Sequence, residues 1–77
     1  MSVENKIKFA MRDVGKSRSD IAETLKISDA AVSNKFYRDS FSADDLIKIA
    51  DCLGFELAFI NDNKKVIFDL SDIKAGE

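Results

Sequence analysis

The chain has 77 residues, 45% hydrophobic and 34% charged, with no proline, histidine or tryptophan and a formal net charge of −2. A domain of that length buries only about 60% of its unfolded surface, which leaves little core to give up to a small-molecule cavity. The apolar content excludes a disordered tail, and a lone cysteine, Cys52, excludes an intramolecular disulfide framework and a zinc site.

The opening residues alternate charged and apolar side chains, unlike a signal peptide. No apolar run approaches the roughly 20 residues that span a bilayer. The expectation is one compact cytoplasmic binding module, with no membrane, cofactor or small-molecule ligand. With no histidine, no glycine-rich phosphate loop and no paired nucleophile and base, enzymatic chemistry is not expected. The charge is segregated: residues 1–40 hold eight Lys/Arg against six Asp/Glu, and residues 41–77 hold four against eight. A basic half can present its own face at contact range, because charges beyond about 8–10 Å are largely screened.

In chain order, Val3, Ile7, Ala10, Met11 and Val14 form one helical stripe over residues 2–14, capped by Ser2 and stopped by Gly15. Ser17-Arg18-Ser19-Asp20 is a capping-box-like start for a short helix through Leu25. Ser28 opens a third helix to about Tyr37, and Ser42 opens a fourth to Leu53, burying Leu46, Ile49, Ala50 and Leu53 before Gly54. After Gly54 the period changes to two. Phe55, Leu57 and Phe59, then Val66, Phe68 and Leu70, flank the turn Asn61-Asp62-Asn63-Lys64 and predict a β-hairpin with one apolar face able to cover the helical core. Ala58, Ile60 and Ile67 fall on the opposite face, and residues 71–77 read as a frayed end. Cys52 reads as a small core hydrophobe, Asp44-Asp45 as a dipole-favoured helix start, and Asn61-Asp62-Asn63 as a turn lacking the calcium-loop residues.

The second and third helices, separated by about three residues, predict a helix-turn-helix. Ala22 is the small residue at their crossing, and Ile21, Leu25, Ile27, Val32 and Phe36 form the shared core. The outward stripe of the third helix is then Asp29, Ala30, Ser33, Asn34 and Tyr37, side chains sized for base edges in a major groove about 12 Å wide.

Residues 17–54 resemble the phage repressor/Cro-type helix-turn-helix (XRE) family. Ile21-Ala22-Glu23, Leu25-x-Ile27-Ser28, Val32-Ser33-Asn34-Lys35-Phe36 and Asp45-Leu46-Ile47-Lys48-Ile49-Ala50-x-x-Leu53-Gly54 carry the resemblance. It implies a mainly α fold: a four-helix repressor-like helix-turn-helix domain over residues 1–54, with a C-terminal β-hairpin over residues 55–71 in the same compact unit. The implied function is a sequence-specific DNA-binding transcriptional regulator, a repressor of prophage or mobile-element type. Asp29, Ala30, Ser33, Asn34 and Tyr37 would face bases of double-stranded DNA, and Arg18, Ser28, Lys35 and Arg38 would meet the phosphate backbone. Asp29 would accept from cytosine or only stabilise its helix dipole. Family members bind palindromic half-sites as dimers. The hairpin, through Ala58, Ile60 and Ile67, or else the fourth helix, would form the homodimer interface. Lys26 stands where the family has glycine, which predicts a non-glycine residue at positive φ, costing about 1 kcal/mol. The alternative is a protein-interaction module on the same fold, a phage-encoded inhibitor or antitoxin-like partner without DNA binding, favoured by Asp29 and the acidic second half.

Overall fold

Every helix begins at a serine, and that regularity sets the architecture. In the computed structural model, which describes residues 2–73, the helices are α1 (Val3–Val14), α2 (Arg18–Leu25), α3 (Asp29–Arg38) and α4 (Ala43–Leu53). The hydroxyls of Ser2, Ser17, Ser28 and Ser42 accept the amide hydrogens of Asn5, Asp20, Ala31 and Asp45. Each bond satisfies one of the donors a helix start leaves unpaired. In α2 and α4 the capping box closes, with the Ser17 and Ser42 amides donating to Asp20 at 2.8 Å and to Asp45 at 3.0 Å. The helices stop at Gly15, Lys26, Asp39 and Gly54, all in the left-handed conformation. Lys26, at φ 60°, takes the positive φ expected from the sequence, whereas Asp39, at φ 52°, was not foreseen.

The core lies between the four helices. Ile7 and Met11 of α1, Ile21 and Ala22 of α2, Val32 and Phe36 of α3, and Ile49 and Leu53 of α4 form one buried cluster. Phe36, Ile21 and Val32 are sealed completely, and Phe41 packs edge-to-face on Phe36 with ring centroids 5.3 Å apart. Two expectations need correction. Val3 and Val14, at the ends of the α1 stripe, are exposed because that helix outruns the core on both sides. On α4, Leu46 and Ala50 are only half-buried, while Ile47 is 5% exposed and lies outside the central cluster, against the hairpin residues Leu57 and Phe68.

The hairpin comprises β1 (Leu57–Ile60) and β2 (Lys65–Phe68), antiparallel, with Leu57 opposite Phe68, Ala58 opposite Ile67, Phe59 opposite Val66 and Ile60 opposite Lys65. Asn61 makes the turn: its side-chain oxygen accepts the amide hydrogens of Asn63 and Lys64, and its own amide donates to the Lys64 carbonyl. The predicted face alternation is present, but the predicted cover is not. Leu57 and Phe68 are half-buried, while Phe59 is 71% and Val66 54% exposed. Strands of four residues reach only the edge of α4, so the tip projects beyond the helices. Phe55 precedes β1 and is exposed, and Leu70 belongs to a 3-10 turn over Leu70–Asp72 rather than to β2. That turn is capped by Asp69, so the frayed end expected at residue 71 is ordered through Asp72. Residues 74–77 of that expectation lie outside the described residues. No helix among the described residues is long and apolar enough to cross a membrane.

Candidate nucleic-acid interface

α2 packs on α3, and Ala22, 4% exposed, lies in the buried cluster the helices share. With Val32 and Phe36 turned into the core, helical geometry sends the opposite stripe of α3 outward. Asp29, Ala30, Asn34 and Tyr37 of the predicted stripe are exposed and Ser33 is half-buried, and Arg38 at the helix end is exposed as well. Tyr37 is 86% exposed and does not pack at the core edge beside Phe36.

Three polar contacts organise this surface. The Arg18 guanidinium donates from Nη1 to Ser33 Oγ at 3.2 Å and lies 5.2 Å from the centroid of the Phe36 ring. Ser19 donates its hydroxyl to Asp29 Oδ2 at 3.1 Å. These two clasps join the first turn of α2 to the length of α3. The third contact leads away from the surface: Lys35 Nζ lies 2.9 Å from Asp45 Oδ2, with the lysine side chain 33% and the carboxylate side chain 16% exposed. This ion pair ties α3 to the start of α4, and the Arg18 head lies over α3. Ser28 keeps its place at the start of α3, its oxygen accepting the Ala31 amide hydrogen while its hydroxyl proton remains available as a donor.

The acids follow from these partners. Burial raises the Asp45 carboxyl, but hydrogen bonds from the Lys35 ammonium and the Ser42 amide outweigh it and hold the group below its ordinary value. Asp20 is lowered by hydrogen bonds from the Ser17 backbone and hydroxyl. No group of three metal-ligating side chains occurs among the described residues. Away from α3, Phe9 and Phe55 line an open groove rimmed by Lys6, Lys8 and Arg12.

Sequence reasoning missed Ser19 and Asp45 as partners of the α3 side chains. A signal existed for Asp45: a lysine late in one helix and a carboxylate early in the next face each other when a short left-handed turn reverses the chain. Ser19 carried no such signal, because a serine in a first turn reads as solvent-facing.

Two short helices crossing at a small residue, the second bearing an outward polar stripe, define a helix-turn-helix domain. Residues 7–66 match the model of the bacteriophage CI repressor helix-turn-helix domain, and the chain belongs to that family. The match runs from Ile7 in α1 to Val66 in β2, so it takes in most of the hairpin as well as the four helices. No curated protein and no solved structure matches the chain.

Proposed function

We propose that this domain is a sequence-specific DNA-binding transcriptional regulator, a repressor of phage or mobile-element type, reading the major groove with α3. The observation that carries the reading is the unshielded polar stripe of α3 in a chain of the CI repressor family. Asp29, Ala30, Ser33, Asn34 and Tyr37 face base edges. Ser28 at the helix start and Arg38 at its end meet phosphates on either side.

One such helix makes too few base contacts for useful specificity, so the active form is a homodimer on two half-sites. The hairpin supplies the second-copy contact: Ile60 is 72% and Ile67 42% exposed on the face they share with Ala58. Selection from a random double-stranded DNA pool tests the whole reading. It should enrich an inverted repeat whose half-sites lie about 10 base pairs apart or a multiple of that.

A second reading, a protein-interaction module without DNA binding, is favoured by one observation: Lys35 and Asp29 already have intramolecular partners. A folded protein that enriches no sequence at low salt would support it.

A further inference from the structure

We infer that Arg18 is a base reader, specific for guanine, that acts as an extension of the α3 reading stripe. This deepens the proposed function and rests on it. A cation in the first turn of a helix is disfavoured by the helix dipole, so the guanidinium has a reason to leave the α2 axis. It goes to α3. Its Nη1 donates to Ser33 Oγ at 3.2 Å, and its central carbon stands 5.2 Å from the Phe36 ring centroid.

Ser33 sits in the middle of the outward stripe, and a serine hydroxyl has a short reach. Arg18, whose head rests on that hydroxyl, is exposed where Ser33 is half-buried. Guanidinium has five N–H donors, and Ser33 takes one. The remaining donors form the planar fork that matches the O6 and N7 acceptors of guanine in the major groove. The aromatic ring and the hydroxyl fix this fork before DNA arrives, so less side-chain entropy is lost on binding. A phosphate would also accept this fork, but at every sequence alike, whereas a guanine contact shows as a base preference. The fork is what requires arginine here, and Ser33 is the positioning residue that aims it.

The experiment is pool selection with full-length wild type, Arg18→Lys and Ser33→Ala, followed by binding titrations on the selected operator at several salt concentrations. The wild type should select a guanine in each half-site. Arg18→Lys should lose that preference by roughly 5- to 150-fold while keeping the other selected positions and the salt slope. Ser33→Ala should soften preference at the same guanine. Circular dichroism melts should show both variants folded. A wild-type operator whose every preference survives in Arg18→Lys would overturn the inference and return Arg18 to the phosphate backbone, leaving the proposed function standing. A wild type that selects no sequence would overturn the proposed function itself, and this inference with it.

Discussion

Asp39 ends α3 in the left-handed conformation, and its carboxylate accepts the Glu4 amide hydrogen at 2.7 Å. The residue that stops the proposed recognition helix therefore also caps the start of α1, 35 positions earlier in the chain. The bond fixes the exit of α3 against a helix that takes no part in the proposed reading of DNA.

Replacing Asp39 tests its two roles together. Asp39→Asn keeps an acceptor and a residue tolerant of positive φ, so its melting temperature should stay close to wild type. Asp39→Ala removes the cap and places a less tolerant residue in the left-handed region, costing about 2 kcal/mol. Equal melting temperatures for the two variants would show that the Glu4 hydrogen bond contributes nothing.

The Lys35–Asp45 pair makes a different kind of claim. If the ammonium is committed to Asp45, Lys35→Ala should lower stability by about 0.5–1 kcal/mol and leave the salt dependence of DNA binding unchanged. Arg38→Ala should behave in the opposite way, weakening binding to all sequences and flattening the salt slope by about one ion. Titrations across salt concentration distinguish them. A flattened slope for Lys35→Ala would place that side chain at a phosphate.

Acid should loosen the same joint. The folded-state carboxyl of Asp45 lies below its ordinary value, so it binds its proton more readily in the unfolded chain. Its stabilising contribution is present above about pH 4 and is lost as the pH falls through the lower folded-state value. Asp20 and Asp69 are lowered as well and titrate in the same window, so the comparison with Asp45→Asn isolates the one group. Thermal melts of the two proteins from pH 6 to pH 3 should converge at the acid end. Parallel curves would contradict the assignment.

Ala22 has no room to grow. It is 4% exposed in the core cluster, and if α2 and α3 cross there a leucine would push them apart, costing about 1–3 kcal/mol. A wild-type melting curve for Ala22→Leu would mean that the helices cross elsewhere.

The hairpin prediction concerns assembly. Its tip exposes Phe59 and Val66 on one face and Ile60 and Ile67 on the other, an apolar surface that a lone two-stranded sheet has no means to bury. Ile60→Lys with Ile67→Lys should give folded monomers with sharply reduced affinity for an inverted repeat. Sedimentation of wild type at high micromolar concentration should show a dimer, and a monomer there would remove the hairpin from the interface.

What could be read in advance divides along physical lines. Helix starts and the stops at Gly15 and Gly54 were legible because serine caps, glycines and the apolar period are local, whereas the stop at Asp39 carried no such signal. The helix-turn-helix core was legible because Ala22, Val32 and Phe36 stand at fixed spacings on known faces. The two faces of the hairpin were legible from its alternation, but its burial was not. Alternation says which side chains share a face, and the four-residue length that keeps Phe59 off the helices is a tertiary result. The Lys35–Asp45 and Arg18–Ser33 contacts were not legible. A long flexible side chain goes to the nearest compensating group, and Asp45 and Ser33 become near only once the helices pack.

The central claim, that α3 reads base sequence, is tested most directly by the specificity ratio of Ser33→Ala/Asn34→Ala. The ratio is the affinity for the selected operator over that for a scrambled duplex, at one salt concentration. Both residues lie on the outward stripe and neither belongs to the core cluster, so the variant should lose at most the exposed Arg18–Ser33 hydrogen bond and remain folded. The expected result is a fall in discrimination of about 1–3 kcal/mol per base read by these side chains, with affinity for the scrambled duplex unchanged. An unchanged ratio in a variant that remains folded would show that this helix does not read DNA.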